Sequence, residues 1–94
     1  MSAAGPGRRQ NSDTATLIAI VPKGAASQVR VRLRTYHGRH LVDARVFTPL
    51  ARHAEQWIPS REGFALDVSK LPLLRDAIME AEAKARSLKL IRER

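Results

Sequence analysis

Residues 29–36 alternate between apolar and cationic side chains, which is the pattern of a β-strand that buries one face. Successive side chains of a strand point to opposite faces, so one face of this strand is apolar and the other is positively charged. The apolar positions are Val29, Val31 and Leu33, and the cationic positions are Arg30, Arg32 and Arg34. The segment predicts a half-buried strand with an arginine-rich outer face.

A second alternating run, residues 39–47, follows the dipeptide His37-Gly38, and this spacing predicts a β-hairpin with a two-residue turn. Pairing Tyr36 with Arg39 sets the register. The apolar partners are then Leu33 with Val42, Val31 with Ala44 and Val29 with Val46. On the other face the partners are Arg34 with Leu41, Arg32 with Asp43 and Arg30 with Arg45. A slip of one residue would place arginines in the core.

Turn signals delimit the other strands. A β-prone run at residues 16–21 ends at the turn signal Pro22-Lys23-Gly24, and Pro49 favours a loop in the segment after the hairpin. The order expected after the hairpin is a loop at residues 48–56, the segment Trp57-Ile58-Pro59, a turn at residues 60–63 and a short strand at residues 64–66.

The C-terminal segment predicts one amphipathic helix that ends near Leu90. Asp67 or Ser69 can cap its start, and Pro72 is tolerated in a first turn. Steps of three and four residues place an apolar stripe on one side, formed by Leu71, Leu74, Ile78, Ala81, Ala85 and Leu88. The stripe can cover the sheet, meet the helix of a second copy, or do both. The predicted dimer contacts are Leu74, Ile78, Ala81, Ala85 and Leu88.

These elements predict an α+β fold, a four-stranded antiparallel sheet followed by one C-terminal helix. Residues 1–15 lack hydrophobic periodicity and are interpreted as a flexible tail, and residues 16–94 as the domain. A chain of 94 residues buries a modest core, which favours a homodimer.

Positive charge is concentrated on the predicted hairpin. The chain carries a net charge of +8, and residues 23–52 contain seven basic residues and one acid, Asp43. Such an excess suggests a polyanionic partner. The absence of cysteine and of any apolar stretch of membrane-spanning length fits the cytoplasm or the nucleoid.

The arginine face predicts a surface that binds a single nucleic-acid strand. Guanidinium groups bind phosphates bidentately, and exposed aromatic rings at Tyr36 and Phe47 provide platforms for unpaired bases. The like-charge pair of Arg30 and Arg45 is expected to destabilise an isolated sheet and to become favourable when an anion lies across both residues. Three plainer interpretations stay open. The arginines can be solvated surface, and Trp57 can be a packing residue instead of a stacking one. Phe47 can belong to the core if the strand bulges after Val46.

Catalysis has little support in the sequence. His37, His40 and His53 lack metal-ligand spacing with carboxylates, and the chain has neither a phosphate-binding glycine loop nor a nucleophile motif. We therefore expect a protein that is not an enzyme and that uses no cofactor or metal.

Three motifs in order resemble the positive cofactor four family of single-stranded-DNA-binding transcriptional coactivators. They are Tyr36-x-Gly38-Arg39, Leu41-Val-Asp43-x-Arg45 and Pro59-x-Arg61-x-Gly63, and the resemblance extends over residues 16–90. It implies a homodimer whose sheets form curved channels for single strands. The implied contacts are Tyr36 and Phe47 for bases, and Lys23, Arg34, Arg39, Arg45 and Arg61 for the backbone. Arg30 and Arg32 are added from the strand pattern.

The chain also departs from that family. Thr48 stands where some members have an aromatic residue, and Ile58 and Glu62 stand where eukaryotic members have lysines. The compact chain is more similar to prokaryotic members, which implies a cytoplasmic, nucleoid-associated protein, whereas a eukaryotic member would be nuclear. Three functions remain: binding single-stranded or melted DNA, with a role in transcription regulation; docking an acidic protein partner; and binding RNA as a chaperone.

Overall fold

The computed structural model describes residues 13–92, which form one antiparallel sheet and one helix. The strands follow one another across the sheet in chain order, so each is joined to its neighbour by a tight turn. The elements are β1 Thr14–Gly24, β2 Ser27–Tyr36, β3 Arg39–Leu50, β4 His53–Asp67, a 3₁₀ turn Val68–Lys70 and α1 Leu71–Ser87. The predicted fold class is confirmed. β1 begins two residues before its predicted start, and residues 1–12 of the predicted tail lie outside the described residues.

The predicted register of the β2–β3 hairpin is confirmed at every pair, from Val29 with Val46 to Tyr36 with Arg39. The turn places both of its central residues at positive φ, with His37 at 51° and Gly38 at 77°. This is the backbone of a type I′ turn, whose twist matches that of the flanking strands. The backbone N–H of His37 also donates to Asp13 Oδ1 at 3.2 Å, which ties the start of β1 to the turn.

The predicted loop at residues 48–56 is wrong, because β3 continues to Leu50 and β4 begins at His53. Pro49 pairs with Trp57 of β4. On the other side, β2 pairs with β3 only as far as Phe47, so β3 has no partner strand there at Pro49. Proline has no backbone N–H to donate, and a position without a partner strand tolerates this because no interstrand hydrogen bond is lost.

The predicted turn at residues 60–63 is also wrong, because this segment is an irregularity inside β4. Arg45 pairs with Gly63 and Phe47 with Pro59, so β4 contains two more residues than β3 over the same stretch. The backbone N–H of Glu62 donates to Ser60 Oγ at 3.1 Å, a local contact that is typical of a bend. The turn signal therefore bends the strand without reversing the chain.

Helix α1 is joined to the sheet through the 3₁₀ turn. The Asp67 side chain accepts a hydrogen bond from the Ser69 backbone N–H at 3.0 Å, and this bond is the main reason that the pKa of Asp67 lies below its usual value. No residue of α1 is buried, and Ile78 on the predicted apolar stripe is 58% exposed. The stripe therefore does not cover the sheet of its own chain.

The apolar face of the sheet is largely open. Among residues 13–92 the buried hydrophobic side chains are Val42, on this face, and Phe47, on the opposite one. Leu33 and Phe64, which flank Val42 and Ala44 on the same face, are 41% and 43% exposed. One chain alone thus leaves much of the surface predicted as core in contact with water.

Candidate nucleic-acid interface

The basic face of the sheet is curled into an open cleft of about 520 Å³. Both edge strands contribute to its walls, because the start of β1 and the bend in β4 line it together with the arginines of the central strands. We call it the arginine cleft. Its lining residues are Thr14, Ala15, Arg32, Arg34, Arg45, Pro59, Ser60 and Arg61.

A completely buried carboxylate, Asp43, lies within the arginine cluster of this face. Arg32 Nε and Nη2 each lie 3.0 Å from Asp43 Oδ1. Arg45 Nη2 lies 3.4 Å and Arg34 Nη1 3.7 Å from Oδ2. The strand register produces this arrangement, because Arg32 faces Asp43 directly while Arg34 and Arg45 lie two positions away. Three guanidinium groups thus surround one carboxylate, and two positive charges remain uncompensated for a ligand.

The like-charge pair of Arg30 and Arg45 is confirmed as a cross-strand pair, but the two guanidinium groups point apart. Arg45 turns to Asp43 and donates from Nη1 to the Ser60 carbonyl at 3.3 Å. Arg30 turns the other way and donates from Nε to Gln28 Oε1 at 3.0 Å. Both guanidinium groups thus have partners within the chain, and the binding of an anion across the pair stays a prediction.

Phe47 lies on the predicted face, yet it is only 5% exposed, so the expectation of an exposed ring is wrong. The guanidinium carbons of Arg30 and Arg32 lie 4.8 and 5.1 Å from its ring centroid. Arg30 also lies 5.7 Å from the ring centroid of Trp57, which is half-buried. The arginines cover the ring because a guanidinium is attracted to an aromatic face.

Tyr36 at the opposite end of β2 is 44% exposed, as predicted. Its ring stacks on that of His37, with centroids 4.1 Å apart, and the Arg34 guanidinium carbon lies 5.6 Å from its centroid. Arg39 is exposed beside it across the hairpin. The tip therefore presents a ring and cations to solvent before any ligand binds.

The structure brings several of the predicted contacts together. Arg32, Arg34, Arg45 and Arg61 line the cleft, and Arg30, Phe47 and Trp57 form a cluster beside it. Lys23 is exposed next to the β1–β2 turn, at the end of the sheet away from Tyr36, and does not line the cleft.

The sequence interpretation missed the parts of the cleft that come from the edge strands, Thr14, Ala15 and Ser60. It also missed the role of Gly63, which has a φ of 138°. A Cβ on Gly63 would overlap the Ala44 carbonyl oxygen and lie 2.7 Å from Arg45 Cα. The Pro59-x-Arg61-x-Gly63 motif was the available signal, since glycine permits such a backbone approach.

Within residues 13–92 no group of three or more histidines and carboxylates is arranged to hold a metal ion. Over the same residues, no helix has both the length and the apolar character that crossing a bilayer demands.

No protein-family model and no curated protein matches the sequence. Solved structures that resemble the chain include two crystal forms of BPSL1147, a PC4 homolog from Burkholderia pseudomallei K96243. The TM-score is 0.66 and the sequence identity 26% for each form. The tetragonal form aligns over 73% of this chain and 98% of the homolog, and the orthorhombic form over 78% and 96%.

The antiparallel four-stranded sheet, the single C-terminal helix and this structural match define a fold of the PC4, or positive cofactor four, class. The chain is similar to this bacterial PC4 homolog in fold and, at 26% identity, in sequence. The resemblance drawn from the three sequence motifs is thereby confirmed.

Proposed function

We propose that the protein is a homodimer that binds single-stranded DNA, with little sequence preference, on the basic face of its sheet and without catalysis. The observation that carries this proposal is the arginine cleft, in which three guanidinium groups share one buried carboxylate. A surface that needed only solubility would have no reason to bury an acid among its cations.

The buried Asp43 supports phosphate binding because it orients the arginines before a ligand arrives. A guanidinium fork binds a phosphate best when its geometry is set in advance, since less side-chain entropy is then lost on binding. Same-face residues on a strand are spaced by about 6.8 Å, so Arg30, Arg32 and Arg34 form a regular row of cations along β2. A regular row of this kind suits the evenly repeated charges of a nucleic-acid backbone.

The exposed ring of Tyr36 supports single strands over duplex. Unpaired bases stack on aromatic side chains, whereas a duplex hides its base faces. Because stacking needs no particular base, the arrangement supports binding of single-stranded regions, including melted duplex. Regulation of transcription is the setting that the PC4 resemblance suggests for such binding.

The open apolar surfaces support a homodimer. The sheet exposes Leu33 and Phe64 on one face, and α1 with its C-cap exposes Ile78 and Leu88 at stripe positions. Surfaces of this kind mark protein interfaces when they are contiguous and large. We propose that a second copy covers them through the stripe residues Leu74, Ile78, Ala81, Ala85 and Leu88.

The test is fluorescence anisotropy with a labelled thymine oligonucleotide, its duplex and an RNA counterpart, each over a salt series. We expect the single strand to bind best, with affinity that falls steeply as salt rises because phosphate contacts release counterions. Tyr36→Ala should weaken single-strand binding by about 10-fold, and the matched control Tyr36→Phe, which keeps the ring, should bind like the native protein.

Other outcomes would point elsewhere. Equal weak binding of all three nucleic acids, unchanged by Tyr36→Ala, would leave a generic basic surface and favour an acidic protein partner. A clear preference for the RNA strand would replace DNA by RNA as the ligand, because only a contact to the 2′-hydroxyl distinguishes the two sugars.

A further inference from the structure

The proposed function assigns no contact to the covered aromatic cluster of Phe47 and Trp57 beside the arginine cleft. Phe47 and Trp57 are on strands that pair with each other, and the guanidinium of Arg30 lies over both rings, at 4.8 and 5.7 Å from their centroids. The planar guanidinium of Arg30 thus occupies the position over the two rings where a base could stack. The cluster is continuous with the cleft, because Arg32 contacts Phe47 and lines the cleft as well.

Arg30 differs from the other arginines of the basic face in the polar partner of its side chain. Arg32, Arg34 and Arg45 each contact the buried carboxylate of Asp43, so moving any of them breaks a buried ion pair. The polar partner of Arg30 is the neutral amide of Gln28, and no carboxylate pairs with it among residues 13–92. Arg30 is therefore the arginine of this row that can exchange its partner for a phosphate at the lowest cost.

We propose that Arg30 gates a base-stacking subsite formed by Phe47 and Trp57. A bound single strand draws the Arg30 guanidinium to a phosphate, and a base takes its place against the two rings. The exchange is favourable because a phosphate is a stronger partner for a guanidinium than a neutral amide, and because a base provides the rings with a larger stacking surface. This proposal rests on the proposed function, since it needs a single strand on the basic face.

Trp57 is the single tryptophan of the chain, so its emission reports on this subsite alone. The full-length protein is titrated with a thymine oligonucleotide and with an abasic oligonucleotide of equal length, which has the same phosphates and no bases. Anisotropy of the labelled strands measures binding, and Trp57 emission measures stacking. We expect both strands to bind, the thymine strand more tightly, and only the thymine strand to quench Trp57 strongly.

Variants distinguish the role of Arg30 from that of the aromatic rings. Phe47→Leu should reduce the preference for the thymine strand over the abasic strand by about 5-fold or more. Arg30→Ala should lower the salt dependence by about one phosphate contact and make Trp57 of the free protein more accessible to acrylamide. Arg30→Lys keeps the charge and should retain the salt dependence. Arg75→Ala removes an arginine from the helix, whose partner is Asp76, and should change none of these readouts.

The outcomes distinguish the two proposals. If neither strand binds, the proposed function fails and the gate fails with it. If the thymine strand binds but Trp57 emission is unchanged, or changes equally with the abasic strand, the subsite is overturned while single-strand binding stands. An unchanged salt dependence in Arg30→Ala would show that Arg30 does not reach a phosphate, and would overturn the gate.

Discussion

The two faces of the sheet differ in how far a single chain completes them. On the basic face, Asp43 is fully buried and Phe47 nearly so, because arginine side chains lie over both. On the apolar face Val42 is buried, but Leu33 and Phe64 remain more than 40% exposed. The long stems of charged side chains can cover their own face, whereas apolar side chains such as Leu33 and Phe64 are covered only when another surface packs against them. The basic face is therefore organised before any ligand binds, whereas the single chain leaves the apolar face open.

The largest expected effect comes from the bend that shapes the cleft. Gly63→Ala should destabilise the protein by more than about 3 kcal/mol, because the new Cβ overlaps the Ala44 carbonyl at a φ that side chains avoid. Urea unfolding measures the loss. Gly38→Ala is the matched control, since its φ is also positive but no atom lies within 4 Å of the added Cβ, and it should cost about 1 kcal/mol. Equal losses in the two variants would contradict the steric explanation.

The next effect concerns the open apolar surface. Ile78→Glu should raise the dissociation constant of the proposed dimer by about 100-fold, because a charge would be buried in the interface without a partner. Sedimentation over a concentration series measures the dimer. Ala83→Glu introduces the same charge at an exposed position on the opposite side of α1 and should leave the dimer intact. A monomeric native protein would refute the dimer directly.

A smaller effect is expected at the centre of the basic face. Asp43→Asn should lower the free energy of unfolding by about 2 kcal/mol, because hydrogen bonds to a buried charge are lost and the arginines are left crowded. The control is Asp76→Asn, which removes an exposed carboxylate also 3.0 Å from an arginine and should cost less than about 0.5 kcal/mol. If both variants cost the same, burial does not set the strength of the Asp43 cluster.

The smallest effect concerns the cap that joins sheet and helix. The pKa of Asp67 is lowered because the Ser69 N–H donates to its charged form. Its contribution to stability is therefore fully present above the usual pKa and is lost as pH falls through the lowered value. Asp67→Ala should lower the thermal midpoint at neutral pH but not in strong acid. A difference that persists undiminished in strong acid would exclude the carboxylate as its source.

Much of the site could be predicted from sequence because the hairpin is local. The alternation in residues 29–36 and 39–47, with a two-residue turn between them, leaves one register without arginines in the core. The prediction failed where distant strands decide the outcome. Pro49 was interpreted as a loop signal because its position on an unpaired edge of β3 is visible only once β2 ends.

The sequence by itself determined the two-faced hairpin, the single acid among the arginines and the PC4 resemblance, because these depend on neighbouring positions and on period. Only the tertiary structure decided that β4 is irregular between Pro59 and Gly63, that Asp43 is buried and that Arg30 lies over Phe47 and Trp57. Burial depends on which surfaces pack together in the fold. The alternation along a strand predicts which side chains share a face, but not which groups cover that face.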